Sequence, residues 1–234
     1  MKMLKGIIGR ILRIIFGRGA TVSIRNSLIL GKKYGQYQSA KRYSCVNAEG
    51  LPIPWYTYPT IEYLDNLKLD GITVLEYGSG NSFHYYLRRG AKVVSIEDNR
   101  EWYEKIKTEN ADDSFDYVFA DSYDEYINRK EIKSADVIVI DGSHRPECAD
   151  YVIQNVSKGH SNPSMIIFDN SDWFPKTINE IDRKVGWVRV DFCGFGPIND
   201  YTWVTSIYFN PRKKLSRINS HIKSISGISG NTEK

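Results

Sequence analysis

Cysteine is scarce in this chain, which has only Cys45, Cys148 and Cys193 in 234 residues. Their spacing matches neither a zinc cluster nor a redox pair, so the sequence does not predict a metal finger or a disulfide-stapled scaffold. So few cysteines favour a reducing compartment. We therefore expect a cytoplasmic protein.

Long uncharged apolar runs are also missing. In residues 1–18 the isoleucines and leucines recur with the period of a helix, but lysines and arginines interrupt them. This segment is too short and too polar to cross a bilayer, and no small-residue cleavage site follows it. We predict a basic amphipathic helix here. It would lie in the plane of a membrane or pack against protein, either the same domain or a second subunit in a homo-oligomer.

Acidic residues are absent from the first 48 positions, which carry ten lysines and arginines. Residues 211–234 have six basic residues and one acid, whereas residues 49–210 have sixteen basic and twenty-seven acidic residues. A nucleic-acid enzyme needs its positive face on the folded body, so we expect no nucleic-acid partner. The asymmetry suits an acidic body whose basic ends meet an anionic membrane, at the inner face of the membrane in a cytoplasmic protein.

Regular alternation of strands and helices is confined to residues 60–210, which we predict to be a single domain. Residues 19–59 have little periodicity and are predicted to be a linker or lid, and residues 211–234 a basic flexible tail. The rings in residues 51–59 would stack on a sugar or adenine, or plug the edge of the sheet.

Seven apolar segments in this domain read as strands, at residues 74–77, 92–97, 115–120, 136–140, 164–168, 187–192 and 201–209. Helical segments separate the first six strands, whereas the last two have no helix between them. This order predicts an α/β fold of Rossmann type: a seven-stranded, mostly parallel sheet with helices on both faces and a C-terminal antiparallel hairpin. Ligands should bind beyond the carboxyl ends of the strands.

The first strand ends in Glu76-Tyr77-Gly78-Ser79-Gly80-Asn81-Ser82, a glycine turn before a helix that Ser82 can cap. A carboxylate at Glu76 favours a polar, partly cationic ligand over a bare phosphate. The pattern resembles the first motif of class I S-adenosylmethionine (SAM) dependent methyltransferases.

This resemblance implies SAM as the cofactor and extends to acidic residues after the next two strands. Glu97 and Asp98 would accept the ribose hydroxyls, and Asp121 and Ser122 would contact adenine, although Asp-Ser after a strand is often only a helix cap. The residues predicted to bind the cofactor are Glu76, Gly78, Ser79, Gly80, Asn81, Ser82, Glu97, Asp98, Asp121 and Ser122.

Two further strands each end in an aspartate. Asp141 follows residues 137–140, and Asp169-Asn170 follows residues 165–168, so these oxygens should meet at one edge of the sheet. Hard oxygen ligands without cysteine predict a Mg²⁺ or Mn²⁺ site made by Asp141, Asp169 and Asn170. The alternative is a purely structural role, in which Asp141 belongs to a turn and Asp169-Asn170 begins the next helix.

The arrangement is similar to the metal site of the catechol and macrocin O-methyltransferase group, and Asp141-Gly142-Ser143-His144 resembles its sugar-modifying branch. The resemblance implies that Asp141 and His144 are catalytic, with His144 as the base near the metal. It implies Mg-assisted methylation of a hydroxyl in a sugar, glycan or glycolipid precursor. Four further residues would line the acceptor pocket or belong to the core: Asp172, Trp173, Tyr201 and Trp203.

Three alternatives remain open. The acceptor could be a catechol-like or other small molecule. An NAD-dependent oxidoreductase or epimerase would use the same sheet, but its phosphate turn needs a third glycine where this chain has Phe83, and Glu76 would face a diphosphate. The third alternative is a non-catalytic, membrane-associated adaptor with a methyltransferase fold.

Overall fold

The computed structural model describes residues 2–108, 116–219 and 224–227, and no side chain before residue 13. Seven strands form one sheet, in the order β3-β2-β1-β4-β5-β7-β6. Their bounds are β1 Thr73–Tyr77, β2 Lys92–Glu97, β3 Asp116–Phe119, β4 Val137–Ile140, β5 Met165–Asp169, β6 Val188–Gly194 and β7 Trp203–Phe209. The first five strands pair in parallel, and β7 runs antiparallel to both β5 and β6. The predicted fold class is confirmed.

The described residues form eight α-helices that surround or precede this sheet: α1 Lys2–Leu28, α2 Gln36–Arg42, α3 Tyr58–Asp65, α4 Asn81–Arg88, α5 Arg100–Thr108, α6 Tyr123–Ile127, α7 Arg145–Ser157 and α8 Pro175–Val185. One apolar core lies between the sheet and α6, α7 and α8, and a second lies on the opposite face under α3 and α4. Strand β4 shows why the sheet is central, because Val137, Ile138, Val139 and Ile140 are all buried and β-branched. The strand order reverses between β1 and β4, which is where an open α/β sheet forms its ligand crevice.

The N-terminal helix is longer than the sequence predicts. Its helical backbone is interrupted at Gly17, which has a φ of 75°, and then continues to Leu28. A π-helical turn, Ile29–Lys33, and α2 follow, so much of the segment predicted as a linker or lid is helical. Glycine makes the break because it adopts positive φ without steric cost, and the predicted end at residue 18 lies at this break. Among the described helices, none combines the length and apolarity needed to cross a bilayer.

The described part of the C-terminal tail is attached to the body. Lys68 N donates to Ser216 O at 2.8 Å, and Ile218 N donates to Asn66 O at 2.9 Å. Within the segment predicted to be a flexible tail, residues 216–218 therefore pair with the backbone on either side of Leu67. Residues 220–223 and 228–234 lie outside the described residues.

Candidate functional site

A cavity of about 750 Å³ opens at the carboxyl ends of β1, β4 and β5. Part of the glycine turn forms one side, two carboxylates lie at its floor, and aromatic side chains form the facing wall. The residues that line the cavity include Arg42, Tyr43, Ser44, Cys45, Trp55, Ser79, Gly80, Asn81, Ser82, Trp102, Lys105, Asp141, Arg145, Asp169, Asn170, Trp173, Asn199, Tyr201 and Trp203.

The glycine turn between β1 and α4 packs backbone to backbone on the turn after β4. Gly78 has a φ of +89°, and a Cβ at this position would lie 2.6 Å from the Cα of Gly142. Gly80 is different, because its backbone is extended and a Cβ there would meet only the ring of Trp102, at 3.9 Å. Gly78 therefore fixes the turn, whereas Gly80 leaves open space at the cavity.

The start of α4 differs from the prediction that Ser82 caps it. The helix begins at Asn81, and its N-cap is Gly80, which has no side chain to donate or accept a hydrogen bond. Asn81 Nδ2 donates to Ser44 Oγ at 3.0 Å and to Cys45 O at 2.6 Å. The residues before α3 are thereby tied to the glycine turn.

Glu76 lies beneath this turn with no exposed surface. Its Oε2 accepts a hydrogen bond from Ser95 Oγ at 2.8 Å, while Oε1 has no hydrogen-bond partner among the described residues. Burial raises the pKa of Glu76 to about 8. Glu76 does not line the cavity, so any contact with a cofactor would pass through the turn above it.

Glu97 also holds the turn. Its Oε2 accepts from Ser79 N at 3.2 Å and from Ser79 Oγ at 2.9 Å, and its Oε1 accepts from the backbone N–H groups of Asp98 and Asn99. Burial raises the pKa of Glu97. In this structure the carboxylate expected to meet a ribose fixes the backbone of the glycine turn.

His144 does not meet the two cavity aspartates. Its Nε2 lies 3.2 Å from Asp98 Oδ2, and its ring packs edge-on against Tyr123 and Tyr126. Ser143 Oγ donates to the other oxygen of Asp98 at 3.2 Å. His144 is not among the residues that line the cavity. The structure therefore does not support a base beside the predicted metal ligands, because the turn after Gly142 directs this imidazole toward the end of β2.

The Asp121-Ser122 pair serves local structure. Asp121 Oδ1 lies 2.8 Å from Arg100 Nη2, and Ser122 Oγ accepts from Glu125 N at 3.3 Å as the N-cap of α6. This is the cap that such a pair forms by default. The predicted contact with adenine has no support in this arrangement.

A guanidinium holds the side chains of two of the three predicted metal ligands. Arg145 Nη2 donates to Asp141 Oδ1 at 2.8 Å, and Arg145 Nη1 donates to Asn170 Oδ1 at 2.5 Å. Asp169 Oδ1 accepts instead from Trp203 Nε1 at 3.1 Å and Thr205 Oγ1 at 2.5 Å. Among the described residues, no cluster of His, Cys, Asp and Glu has the arrangement of a metal site. One oxygen of each side chain already accepts hydrogen bonds, and the Arg145 guanidinium lies between Asp141 and Asn170, so the residues do not fit an open Mg²⁺ site.

The two cavity aspartates differ in exposure, because Asp169 is buried whereas the side chain of Asp141 is 21% exposed. Burial raises the pKa of Asp141 and of Asp169, and the nearby Asp141 charge raises the pKa of Asp169 further. Arg145 opposes this shift at both carboxyls. Because the ion pair with Arg145 is direct at Asp141, we take Asp169 to be the more basic of the two.

Three of the four residues predicted to line an acceptor pocket or to belong to the core line this cavity. Trp173 and Tyr201 line the cavity and are exposed, and Trp203 lines it while buried. Asp172 does not line it, because its Oδ1 accepts from Val204 N at 3.1 Å. Trp55 joins this wall, and its Nε1 donates to Asn199 Oδ1 at 2.5 Å.

Sequence reasoning missed two groups of lining residues. The first is residues 42–45, which carry no periodic pattern that would place them at the cavity. The second is Trp102 and Lys105 on α5, where Trp102 Nε1 donates to Ser79 O at 2.7 Å and Lys105 Nζ lies 4.6 Å from the Trp102 ring centroid. Tyr56 and Tyr58, in contrast, are buried in the core, as the alternative of an aromatic plug predicted.

Comparison with known proteins gives no family model that matches and no curated protein that matches. Among solved structures, a methyltransferase from Pyrococcus furiosus is 18% identical, with a TM-score of 0.44 over 76% of this chain and 98% of that one. An SAH-bound methyltransferase from Podospora anserina is 16% identical, with a TM-score of 0.44 over 64% and 75%. A methyltransferase-like protein from Silicibacter pomeroyi is 17% identical, with a TM-score of 0.40 over 68% and 93%.

Proposed function

We propose that this protein is a SAM-dependent O-methyltransferase that acts on a hydroxyl of a sugar, in a glycan or glycolipid precursor. The observation that carries the proposal is the cavity itself. It joins an open glycine turn at the C-terminal edge of the sheet to a wall of aromatic and amide side chains, with the carboxylates of Asp141 and Asp169 between them. A donor and an acceptor could therefore meet at one point.

The glycine turn has the features that a SAM molecule needs. The missing side chain at Gly80 leaves room against the backbone, and the N-terminus of α4 offers N–H groups to a carboxylate. The Asp141 carboxylate provides negative charge at the cavity for a sulfonium. SAM would supply an electrophilic methyl group, and the residues of the turn would hold its amino acid part.

The acceptor hydroxyl must lose a proton as its oxygen forms the new bond to carbon. Asp141 and Asp169 line the cavity and have raised pKa values, which brings their basicity closer to neutral pH. We assign proton acceptance to Asp169, which has no ion pair with Arg145, and an orienting role to Asp141. His144 then keeps a role in holding Asp98.

The facing wall favours a sugar over the alternatives. Trp173 and Tyr201 offer exposed rings to the apolar face of a sugar, and Asn199 and Asp141 offer polar groups to its hydroxyls. A catechol-like acceptor would use the rings but has fewer hydroxyls for these polar groups. An NAD-dependent enzyme is disfavoured because Phe83, at the position of the third glycine, is a buried core residue.

A direct test is calorimetric titration of the full chain with SAM, and with NAD⁺ as the control ligand. We expect SAM to bind with a Kd of micromolar order and NAD⁺ to give no signal. In Gly80→Val, the new side chain would fill the open space beside Trp102 without a backbone clash, so the protein should fold and lose SAM affinity by about a hundredfold. Binding of NAD⁺ instead of SAM would support the oxidoreductase, and binding of neither ligand would support the adaptor.

Transfer of a labelled methyl group from SAM to a panel of saccharides and catechols would identify the acceptor. Trp173→Ala should lower the affinity for the acceptor and leave the affinity for SAM unchanged, because Trp173 belongs to the aromatic wall and not to the glycine turn.

We also propose that the protein associates with the cytoplasmic face of a membrane. Within residues 13–28 every side chain except Thr21 is exposed, among them Ile14, Ile15 and Phe16. One residue of each basic end contacts Glu62 of α3, whose Oε1 accepts from Tyr34 Oη and from Ile225 N, both at 2.9 Å. Ends held this way would present one basic docking surface to anionic lipid, close to where a glycolipid acceptor would be found.

A further inference from the structure

Arg145 lies between the ends of β4 and β5, at the point where the sequence predicts a divalent cation. Its side chain is only 15% exposed. Nε donates to Gly142 O at 3.1 Å, Nη1 to Asp169 O at 2.9 Å and to Asn170 Oδ1, and Nη2 to Asp141 O at 3.1 Å and to Asp141 Oδ1. A guanidinium has five N–H groups, so every donor of Arg145 has a partner.

These contacts use the features that distinguish arginine from lysine. Five oxygen atoms from two strand ends converge on one planar cation, and its fork matches their directions. Three of the five are backbone carbonyls, so Arg145 fixes the main chain as well as two side chains. A hard divalent cation would collect the same kind of oxygen atoms.

The fixed main chain leads directly to the glycine turn. Gly142, whose carbonyl accepts from Arg145 Nε, is the residue on which Gly78 packs. Arg145 therefore connects three parts of the cavity: the Asp141 carboxylate, the Asn170 amide and the backbone beneath the proposed SAM turn.

We propose that Arg145 is a positioning residue that holds these five oxygen atoms in place of a divalent cation, and that methyl transfer at this site needs no added Mg²⁺ or Mn²⁺. The second part rests on the proposed function. The positioning role of Arg145 does not rest on it, because that role concerns which cation holds the five oxygen atoms in the protein without cofactor or acceptor.

Arg129 provides a matched control. Its side chain is 16% exposed and forms two 3.2 Å hydrogen bonds with Glu131, and it does not line the cavity. Arg129→Ala thus removes an equally buried arginine and its ion pair at another place in the fold. Any general cost of such a loss will appear in both variants.

The first experiment titrates Mn²⁺ into the full-length protein and follows free Mn²⁺ by electron paramagnetic resonance. Wild type and Arg129→Ala should bind no Mn²⁺ up to about 1 mM, whereas Arg145→Ala should bind one ion with a Kd on the order of 10⁻⁴–10⁻³ M through the freed oxygens. Binding by wild type that Asp141→Asn removes would overturn the proposal. Failure of folded Arg145→Ala to bind Mn²⁺ would also overturn it, since the oxygens would then not form a cation site.

The second experiment measures SAM affinity by calorimetry with EDTA or with Mg²⁺. Wild type should give the same Kd in both, and Arg145→Ala should bind at least about tenfold more weakly than Arg129→Ala at equal folded fraction. Guanidinium chloride at about 10 mM should restore part of this loss in Arg145→Ala, while equal NaCl should not. Equal SAM affinity in the two variants would mean that Arg145 only stabilises the fold, and it would overturn the positioning role.

The two experiments separate the two claims. If no variant and no wild-type protein binds SAM, the proposed function fails, and the Mn²⁺ titration still decides whether Arg145 holds the cation position. If Arg145→Ala does not fold, Arg145→Lys takes its place. Lysine keeps the charge but supplies three donors for five oxygens, so it should give a weaker form of the same SAM effect.

Discussion

Glu76 is a buried carboxylate whose burial costs the folded state free energy when the group is charged. It lies beneath the glycine turn, where one oxygen accepts from Ser95 and the other has no partner in the described part of the chain. Burial of an incompletely hydrogen-bonded acid favours its protonated form, and its pKa rises to about 8. Near neutral pH the folded protein therefore holds a proton that the unfolded chain has released.

This difference predicts how stability depends on pH. The contribution of Glu76 is fully present below its ordinary pKa of 4.5 and is lost as the pH rises from there toward about 8. Over that range the free energy of unfolding should fall by about 1.4 kcal/mol per pH unit for this group. Glu76→Gln should remove the part of this pH dependence that Glu76 contributes. In urea unfolding curves the variant should therefore gain stability relative to wild type between pH 5 and pH 8.

The comparison with wild type isolates Glu76, because all other titrating groups are shared. Glu104→Gln, on the exposed surface of α5, serves as the control and should run parallel to wild type. Parallel curves for Glu76→Gln and wild type over the whole range would show that Glu76 does not keep its proton in the folded state.

At the scale of elements, the two turns that follow β1 and β4 depend on each other. Gly78 needs positive φ, and its Cα faces Gly142 so closely that neither can carry a side chain. A Cβ on Gly142 would also meet the hydroxyl of Tyr126. The close approach of these backbones places the glycine turn directly beside Asp141.

Gly78→Ala should therefore lower the free energy of unfolding by about 3 kcal/mol or more, because it combines backbone strain with a clash against Gly142. Gly186→Ala is the matched control. Gly186 has a φ of +66° at the end of α8 and no atom within 4 Å of a Cβ, so that change should cost only about 1 kcal/mol of strain. Urea unfolding measures both, and equal costs would show that the packing on Gly142 adds nothing.

The elements themselves were predictable because their patterns are local. Strand β2 has the predicted bounds, Lys92–Glu97, and the other strands differ by one or two residues at their ends. Helix α8 begins at Pro175, since proline favours the first turn of a helix. The prediction ends the N-terminal helix at residue 18, whereas the helix continues to Leu28. A glycine break resembles a helix end in sequence, and the following segment has no clear period.

The site was only partly predictable because its contacts cross the fold. Sequence placed Asp141, Asp169 and Asn170 together correctly, since parallel strands end at one edge. It could not show that Arg145, which begins α7, would turn back between them, because a charged residue at a helix start normally faces solvent. Nor could it show that Glu97 is held by Ser79 and that His144 is held by Asp98.

For the whole molecule, the excess of basic residues lies at the chain ends, and a run of exposed apolar side chains lies at the N-terminal one. Residues 1–48 carry ten basic residues and no acid, whereas the sheet domain is acidic. The exposed apolar residues of α1 follow one another at Ile14, Ile15 and Phe16, which is unusual for a surface that water alone covers. An acidic body would be repelled by anionic lipid, so the basic ends would orient the protein with its docking surface toward the membrane.

Co-sedimentation of the full-length protein with vesicles tests this orientation. Wild type should bind vesicles that contain phosphatidylglycerol and release them as salt rises from about 0.1 to about 0.5 M, since screening weakens attraction to lipid charge. Replacing Ile14, Ile15 and Phe16, which are 84%, 64% and 55% exposed, by serine should weaken binding at least about tenfold without loss of thermal stability. Val188→Ser with Val190→Ser, on the exposed edge strand β6, should change nothing. If the triple variant binds vesicles as wild type does, the membrane proposal is wrong; if instead it converts a dimer into a monomer by analytical ultracentrifugation, a second copy of the chain covers this face.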